Sequence, residues 1–405
     1  MLVYLNQGNR SLRPVNVSTD RGSVQFLLPE GYNGTYTRYI GSGTYGTVIR
    51  TNATSARTNS GRGGTEQEVA IKKINYPMEN ERLAQLCYRE MMLLQHLDHP
   101  NIARLVDMYT SAQHANELLD VYLVMEYVGS SLDAQLVESI KDNRVYVPIA
   151  IIPQIIRDTL RALNYLKHAN VIHRDLKPSN LAVHSSGRAV LIDYGLARTG
   201  RTEEDRSCQF TKGACTMAYA APELVFWEEG SYDREADIWS LGCILAELIT
   251  WESLFTDDKS KVVNYITLFQ PISDNFLSKV KTSDGGSMRR YIEEKNKKLA
   301  RMNWVDYFKS RNKFANLNDP NQAAALDLVW RCLQYDPESR ISINDALRHP
   351  FLQNIRNGDP ERDYSNVRPL VYNDSRDNIE KWRQAVFGEI WNFRAREDTP
   401  RPARP

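Results

Sequence analysis

The feature that most constrains the fold of this chain is a pair of motifs, HRDLKPSN at residues 173–180 and DYG at 193–195. Asp193 follows Asn180 by thirteen positions. The apolar run AVLIDYG (189–195) that leads into the second motif is typical of a short buried strand ending at a glycine. The two motifs therefore place charged and amide side chains directly beside a buried strand.

These side chains suit phosphoryl transfer to a hydroxyl group. That reaction needs a carboxylate to orient the hydroxyl and accept its proton, oxygen ligands for magnesium, and cations against the phosphates. Asp175 fits the first requirement, and Asn180 and Asp193 fit the second. Lys177 and Lys72 fit the third.

The stretch GSGTYGTV (41–48) matches the pattern G-x-G-x-x-G-x-V, which a phosphate-binding loop would show. Dinucleotide-binding turns share the glycine spacing but need a helix that begins at the glycines. Here the polar stretch RTNATSARTNSGRGG follows, without helical periodicity. The other interpretation is a glycine-rich hairpin that binds no ligand.

Lys72 lies in the predicted buried strand VAIKKI (69–74), where an ammonium group is costly unless it meets an anion. Glu90 lies on a predicted helix whose apolar stripe includes Met91 and Leu94. We expect Glu90 to be the partner of Lys72. Taken singly, either residue would be an ordinary solvated surface charge.

The predicted fold class is α+β. Short apolar runs before residue 126 predict strands around one helix, and apolar stripes at helical spacing follow, the longest at Ile152–Leu166 with Pro153 in its first turn. Because a chain of 405 residues is longer than a single compact core usually holds, we expect two lobes. Residues 1–22 are polar and expected to be loose. The predicted segments are an N-terminal extension at 1–24, a β-rich N-lobe at 25–126, a helical C-lobe at 127–352, a C-terminal extension at 353–393 and a disordered tail at 394–405.

Bulk properties exclude several functions. A net charge of +1 argues against a role dictated by attraction to nucleic acid or a membrane surface. No segment reaches the length of a signal peptide or a membrane span. The five cysteines are scattered, and the seven histidines lack ligand spacing, so we expect a reducing compartment and no zinc site.

Together these motifs resemble the MAP kinases, a group of Ser/Thr protein kinases, and are most similar to their stress-activated branch. The likeness rests on the glycine-rich loop and on VAIKK, RE (89–90), VYLV (121–124), HRDLKPSNLAV (173–183), DYGLAR (193–198), APE (221–223), DIWSLGCILAEL (237–248), DPESRISINDALRHPFL (336–352) and NIEKWRQAVFGEIWNF (378–393). It implies a bilobal protein-kinase fold whose C-terminal extension packs on the core. It also implies ATP and Mg²⁺ as cofactors, protein substrates, an upstream kinase, and a cytoplasmic or nuclear monomer.

The resemblance assigns roles to individual positions. The implied catalytic residues are Asp175, Lys72, Glu90, Lys177 and Thr216, with Asn180 and Asp193 as metal ligands. The implied ATP-binding residues are Ile40, Gly41, Ser42, Gly43, Thr44, Tyr45, Gly46, Thr47, Val48, Lys72, Met125 and Glu126. Arg340 is expected to pair with Glu223.

The activation segment departs from the family pattern. Family members carry a phosphorylated Thr-x-Tyr at positions that here hold Thr211 and Gly213. Two arginines that bind the phosphotyrosine in the family are replaced here by Met217 and Ala220. The phosphate-accepting tyrosine and both arginines are therefore missing together. Their joint absence indicates the loss of the whole phosphotyrosine switch.

The arginines that bind the phosphothreonine in the family are kept in this chain. Arg89, Arg174 and Arg198 occupy the positions from which the family binds phosphothreonine, although each alone could be a surface or ion-pair arginine. As a set they favour a single retained switch at Thr211. The arginine replaced by Ala220 also shapes the family's pocket for proline, so proline-directed specificity stays open.

Two further positions differ from the pattern. Tyr194 replaces the usual phenylalanine of the metal motif, and its hydroxyl needs a partner if it is buried. The family's acidic docking patch falls on GDPERDY (358–364), with Asp359, Glu361 and Asp363 as the docking residues. Arg362 interrupts this patch, and a solvated acidic turn is an equal interpretation.

Two functional hypotheses follow. The first is an active Ser/Thr kinase that uses Mg-ATP, and the second is a pseudokinase-like scaffold that acts through docking without catalysis. Scaffolds of that kind commonly lose a catalytic residue. Because Lys72, Glu90, Asp175, Asn180 and Asp193 are all present, the sequence favours the enzyme.

Overall fold

Two units make up the part of the chain that the computed structural model describes. The described residues are 11–43, 46–54, 66–141, 149–199, 216–227, 233–255, 258–281, 285–298, 302–311, 319–353, 355, 362–372, 376 and 378–396. The first unit holds the described residues up to Asp98, Ala103–Val128 and those from Tyr372 onward, and the second holds His99–Ile102 and Gly129–Val371. The first is rich in strands and the second is mainly helical, so the predicted α+β kinase plan is confirmed.

A five-stranded antiparallel sheet forms the centre of the first unit. Its strands are β3 (Tyr32–Gly43), β4 (Gly46–Thr54), β5 (Glu66–Asn75), β6 (Leu105–Tyr109) and β7 (Asp120–Glu126), in the order β3-β4-β5-β7-β6. β5 and β7 lie inside the sheet, and their apolar residues Val69, Ile71 and Val124 are fully buried. The short apolar runs predicted as buried strands are therefore central strands of this sheet.

A hairpin precedes the sheet, in a region that the sequence predicts to be loose. β1 (Leu12–Thr19) pairs with β2 (Gly22–Pro29) in antiparallel register, and Gly22 has φ of 124°, which favours glycine. The expectation of a loose segment is therefore wrong for residues 12–19, while residues 1–10 lie outside the described part. Phe26 and Leu28 of β2 are buried in one apolar cluster with Tyr122 of β7. Burial against the sheet stabilises a hairpin that would be marginal alone.

Two helices complete the first unit. α1 (Glu81–His96) begins at Asn80, whose side chain accepts a hydrogen bond from the Leu83 backbone N–H. α12 (Ile379–Arg396) belongs to the predicted C-terminal extension and packs on α1. The side chains Ile379, Trp382, Val386, Ile390 and Phe393 recur at helical spacing in the sequence, which predicts one apolar face. Of these, Ile379 is half-buried and the other four are almost wholly covered. The helix continues to Arg396, so the tail predicted from residue 394 begins too early, and residues 397–405 lie outside the described part.

The second unit consists of helices with short strands. Its helices are α2 (Leu132–Lys141), α3 (Ile152–His168), α4 (Pro222–Phe226), α5 (Glu235–Thr250), α6 (Lys259–Phe269), α7 (Asp274–Ser278), α8 (Ser287–Lys298), α9 (Trp304–Arg311), α10 (Pro320–Cys332) and α11 (Ile343–Leu347). Its strands are β8 (Ser130–Ser131), β9 (Val171–Ile172), β10 (Leu181–Val183), β11 (Ala189–Leu191) and β12 (Arg198–Thr199). They form the sheets β11-β10-β8 and β12-β9. Among the described helices, none is long and apolar enough to cross a membrane.

α5 is the central helix of this unit because it is apolar on nearly every side. α10 packs against it. A Cβ atom added at Gly242 of α5 would lie 2.7 Å from Cβ of Cys332 and 2.8 Å from Cδ2 of Leu333. Glycine is therefore what permits the close approach of α5 to this end of α10.

Removal of the Phe26 side chain tests whether the hairpin is part of the first unit's core. We expect Phe26→Ala to lower the free energy of unfolding by about 3–5 kcal/mol, because the substitution leaves a cavity in a covered cluster. Urea unfolding followed by circular dichroism measures the change. Ser23→Ala, on the exposed part of β2, is the control and should leave the midpoint unchanged. An unaltered midpoint in Phe26→Ala would show that the hairpin does not contribute to the core.

Candidate active site

The glycine-rich loop is the tip of the hairpin formed by β3 and β4. The cross-strand pairs nearest the tip are Gly41–Val48, Ser42–Thr47 and Gly43–Gly46. The predicted ATP-contacting residues Thr44 and Tyr45 lie outside the described residues. The other predicted contacts in this stretch therefore all belong to one two-stranded ribbon, as does Ile40, whose side chain is exposed.

Packing requires glycine at one of the three glycine positions of this tip and not at the other two. A Cβ atom at Gly46 would lie 2.2 Å from the carbonyl oxygen of Lys73, so packing against β5 requires glycine there. A Cβ atom at Gly41 or Gly43 would meet no atom within 4 Å in the described structure. Packing does not require glycine at these two positions. The bare backbone suits a ligand that approaches the main chain closely.

A buried ion pair joins β5 to α1. Nζ of Lys72 lies 2.7 Å from Oε1 of Glu90, and the two residues are only 9% and 3% exposed. Either charge would be costly to bury alone, and the pair satisfies both. The pairing predicted from the sequence therefore forms, and Lys72 is held in a fixed direction on its strand.

The last predicted ATP-contacting residues lie at the end of β7. Met125 is buried opposite Ala70 of β5, and Glu126 is half-buried opposite Val69. The Glu126 backbone N–H donates to the carbonyl oxygen of Arg104 over 3.0 Å. Both positions are thus fixed by the same sheet that carries Lys72.

The catalytic motif of the second unit gathers around the Asp175 carboxylate. Nζ of Lys177 lies 2.7 Å from Oδ2 of Asp175, and Nδ2 of Asn180 donates to the same oxygen over 3.0 Å. Lys177 also donates to Oγ1 of Thr216 over 3.0 Å. The structure therefore brings together four of the predicted residues, although Thr216 is 39 positions away from Lys177.

Asp193 lies close enough to Asp175 to affect its ionisation. Burial raises the pKa of Asp175, the Lys177 ammonium opposes this shift, and the negative charge of Asp193 adds to it. The Ile192 backbone N–H donates to the carbonyl oxygen of Asn180 over 2.9 Å, which ties the two motifs together. The carboxylate of Asp193 and the amide oxygen of Asn180 are ligand types that suit a hard divalent cation.

Asp237, a residue that the sequence motifs did not predict for the site, supports this loop. Its Oδ2 accepts from the His173 backbone N–H and its Oδ1 from the Arg174 backbone N–H, both over 3.0 Å. Burial raises the pKa of Asp237, while the two backbone donors and the nearby His173 ring oppose that shift. The available signal was a single acid at the start of the apolar stretch DIWSLGCILAEL.

Backbone strain marks the same loops. Arg174 has φ of 72° and Asp193 has φ of 64°, both in the left-handed region that residues other than glycine rarely adopt. Such residues persist only where surrounding contacts hold them, and they are frequent at active sites. The Asp237 bond to the Arg174 backbone N–H is one such contact.

Residues 200–215 of the activation segment, Thr211 and Gly213 among them, lie outside the described residues. Met217 lies in a short 3-10 helix (Met217–Tyr219), and Ala220 is buried. The Tyr219 hydroxyl donates to Oε2 of Glu247 over 2.6 Å, and burial raises the pKa of Glu247. This Tyr219–Glu247 contact, also missed from the sequence, anchors the end of the segment to α5.

The three arginines predicted to bind a phosphate at Thr211 lie in different elements. Arg89 is buried on α1 of the first unit, next to Glu90. In the second unit, Arg198 of β12 pairs with Ile172 of β9. Ile172 lies two residues before Arg174. The regulatory assignment stays a prediction, because Thr211 lies within residues 200–215, which are outside the described part.

The predicted structural ion pair is present. Nη1 and Nη2 of Arg340 donate to Oε1 and Oε2 of Glu223 over 2.7 Å and 2.6 Å. Both side chains are buried, so the two parallel bonds offset the cost of burying the charges. The pair fixes α4, the helix that follows the activation segment.

One member of the predicted docking patch can be described. Asp363 accepts from the backbone N–H and the hydroxyl of Ser365 over 2.9 Å and 2.8 Å, and these bonds hold the pKa of its exposed carboxyl below the usual value. Asp359 and Glu361 lie outside the described residues. A docking role for the three residues therefore stays a prediction.

The fold and these motifs define a protein kinase. The family described as the protein kinase domain matches residues 35–352. This span covers most of the chain and every catalytic motif described above. The chain therefore belongs to the protein kinase family.

Within that family the chain is similar to MAP kinases. It is 33% identical over 382 residues to mitogen-activated protein kinase pmk-3 of Caenorhabditis elegans, covering 93% of this chain and 76% of that protein. It is 31% identical over 388 residues to mitogen-activated protein kinase 13 of Bos taurus, covering 94% and 95%. It is also 31% identical over 382 residues to mitogen-activated protein kinase p38b of Drosophila melanogaster, covering 93% of each. The protein is a Ser/Thr kinase of the MAP kinase type, consistent with the stress-activated branch.

Substitution of Asp237 by asparagine tests its support of the catalytic loop. Asparagine keeps one acceptor oxygen but turns an amide N–H₂ toward the second backbone N–H, so at least one charge-assisted bond of about 1.5–3 kcal/mol is lost. We expect Asp237→Asn to lower kcat at least tenfold and to lower Tm by several degrees. The measurements are steady-state kinase kinetics and thermal unfolding.

Asp336→Asn is the matched control for this substitution. Asp336 caps a short helix by accepting from the Glu338 backbone N–H, a role that asparagine performs equally well. Its kcat and Tm should match those of the parent protein. Parental kinetics and stability in Asp237→Asn would mean that the carboxylate does not support the loop.

Proposed function

We propose that this chain is an active Ser/Thr kinase in which Asp175 orients and deprotonates the acceptor hydroxyl. The observation that carries the proposal is the arrangement around its carboxylate, where Lys177 and Asn180 both contact Oδ2. Lys177 also holds Thr216, so the end of the activation segment is tied to the catalytic loop. A side chain held at this many points is preorganised for proton transfer.

Protein kinases in general use ATP and Mg²⁺. In this chain, Asn180 and Asp193 would hold the metal through amide and carboxylate oxygens, the ligands that magnesium prefers. The bond from the Ile192 backbone N–H to the carbonyl oxygen of Asn180 supports this assignment, because it ties the two motifs together. Bound magnesium would neutralise negative charge on the phosphates.

The nucleotide would be held mainly by residues of the first unit. The bare backbone at Gly41 and Gly43 would approach the phosphates, and Lys72, directed by Glu90, would supply a positive charge. Met125 and Glu126 would contact the base at the end of β7. These roles come from the family pattern and from the positions that the sheet gives to each residue.

A catalytically silent scaffold is the second candidate. It would keep the fold and bind partners without transferring phosphate. Nothing in the described residues favours it specifically, since Lys72, Glu90, Asp175, Asn180 and Asp193 are all kept. Magnesium-dependent phosphorylation of a generic protein substrate distinguishes the two candidates directly.

Asp175→Asn tests the assigned catalytic role. We expect phosphoryl transfer to fall at least a hundredfold, because the amide cannot accept the proton of the hydroxyl. ATP affinity should stay within about twofold of the parent, since the proposed nucleotide contacts are elsewhere. A radiometric transfer assay and calorimetric ATP binding provide the two measurements.

The outcomes of this experiment separate the candidates. A parent protein without magnesium-dependent transfer would support the scaffold. Equal transfer by the parent and Asp175→Asn would remove Asp175 from the mechanism while leaving the protein a kinase.

MAP kinases are regulated by upstream kinases and act on protein substrates. We propose that one phosphate, at Thr211, activates this chain through Arg89, Arg174 and Arg198. Met217 and Ala220 offer no charge for a second phosphate, and Ala220 is buried. Each charge-assisted contact to the phosphate would contribute about 1.5–3 kcal/mol, enough to order a segment.

Variants of the activation segment test this proposal. We expect Thr211→Ala to be poorly activated by upstream phosphorylation and Arg198→Gln to show a weaker response to phosphate at Thr211. Activity is compared with and without stoichiometric phosphate, with the site assigned by mass spectrometry. Gly213→Tyr alone should not create a second switch, because the cations at 217 and 220 are missing. Full activity of the unphosphorylated parent would exclude a single-phosphate switch.

The remaining proposals concern partners and location. Asp359, Glu361 and Asp363 would bind basic docking segments of substrates and activators, and binding of such a peptide to Asp363→Asn tests the one described member.

A peptide-library assay would show whether proline after the acceptor is preferred. We propose a monomer in the cytoplasm or nucleus, as for MAP kinases in general.

A further inference from the structure

The side chain of Tyr194 is completely buried, with 0% exposure, although it ends in a polar hydroxyl. That hydroxyl donates to the carbonyl oxygen of Leu191 over 3.2 Å. The ring meets the imidazole of His173 edge to face, with centroids 5.4 Å apart. The ring contact would be available to phenylalanine as well, whereas the hydrogen bond requires the tyrosine oxygen.

The hydrogen bond closes a turn that contains Asp193. Leu191 lies two residues before Asp193 and Tyr194 one residue after it, so the bond links the chain on both sides of the strained residue. Asp193 has φ of 64°, a conformation that costs of the order of a kcal/mol and needs support from its surroundings. The Tyr194 hydroxyl is therefore placed where such support acts.

Other contacts at this turn hold its backbone ends. The Leu191 backbone N–H donates to the carbonyl oxygen of Asn101 over 2.9 Å, and the Ile192 N–H donates to that of Asn180 over 2.9 Å. The Gly195 N–H donates to Oδ1 of Asp193 itself over 3.3 Å. These contacts fix where the turn begins and how the Asp193 side chain lies, and Tyr194 adds a link across its two ends.

The Tyr194 hydroxyl is buried together with its ring. Burial of an unpaired hydroxyl is unfavourable, so the bond to Leu191 is expected to form whenever the ring is packed inside. Packing of the ring and closure of the turn are therefore coupled.

We propose that the Tyr194 hydroxyl is a positioning group, which holds the 191–194 turn closed so that Asp193 presents its carboxylate for metal binding. This inference rests on the proposed role of Asp193 as a magnesium ligand. It assigns to the tyrosine a function that its ring alone does not explain. The hydroxyl acts through the backbone and does not itself contact the reacting atoms.

Tyr194→Phe tests the proposal by removing one oxygen atom and keeping the ring. Calorimetric titrations with ATP are run in the presence of Mg²⁺ and again in EDTA, with no protein substrate added. We expect Mg-ATP affinity to fall about two- to tenfold, the range of one neutral hydrogen bond, with metal-free ATP affinity unchanged. Hydrogen exchange at the Gly195 and Ala197 amides should also be faster in the variant.

Tyr265→Phe is the matched control. Tyr265 is also buried in the second unit, and its hydroxyl has no hydrogen-bond partner among the described residues. Its removal should change neither titration nor the exchange at Gly195. The control therefore separates loss of the Tyr194 bond from loss of any buried hydroxyl.

Two results would count against the ideas, and they are distinguishable. If magnesium strengthens ATP binding to the same degree in the parent and in Tyr194→Phe, the positioning role is wrong and the proposed function stands. If magnesium does not strengthen ATP binding even in the parent, the proposed metal site itself is wrong.

Discussion

The buried carboxylate of Asp237 is the interaction on which the catalytic loop depends. The carboxylate accepts hydrogen bonds from the backbone N–H groups of His173 and Arg174, the residues directly before Asp175. Since Arg174 has a left-handed backbone conformation, the loop needs such a fixed acceptor to keep its shape. The acceptor lies on α5, whose apolar surface is covered on nearly every side. The position of Asp175, the proposed catalytic carboxylate, therefore depends on how the core packs around α5.

Several buried charged side chains in both units are paired with an opposite charge. Lys72 pairs with Glu90 in the first unit, while Arg340 pairs with Glu223 and Lys177 with Asp175 in the second. Each pair costs desolvation and gains stability only through close geometry, so these contacts specify orientation more than they add stability. Two of the pairs contain residues with proposed roles in phosphoryl transfer. The Arg340–Glu223 pair supports α4 instead, beyond the activation segment.

The activation segment departs from the family pattern at three positions that act together in the resemblance. Gly213, Met217 and Ala220 remove an acceptor and two cations at once, and an acceptor without its cations would order nothing. Ala220 is packed inside, and the neighbouring Tyr219 is tied to Glu247. The end of the segment is thus held by packing and by hydrogen bonds between Tyr219 and two residues of α5, Glu247 and Ser240. The proposed control is therefore by phosphate at Thr211 alone, for which Arg89, Arg174 and Arg198 are kept.

Much of this protein was determined by the sequence alone. Motif order, the strand and helix periods, the apolar face of α12 and the Lys72–Glu90 pair follow from local spacing and from the cost of an unpaired buried charge. Tertiary structure decided the rest. Asp237 lies 64 positions from His173, and local pattern does not reveal a partner at that distance. Residues 12–19 are too polar to predict as a strand, and they become one because β2 pairs with them and buries Phe26 against the sheet. The partner of the Tyr194 hydroxyl likewise required a folded turn, since a carbonyl three residues back becomes an acceptor only when the chain reverses around Asp193.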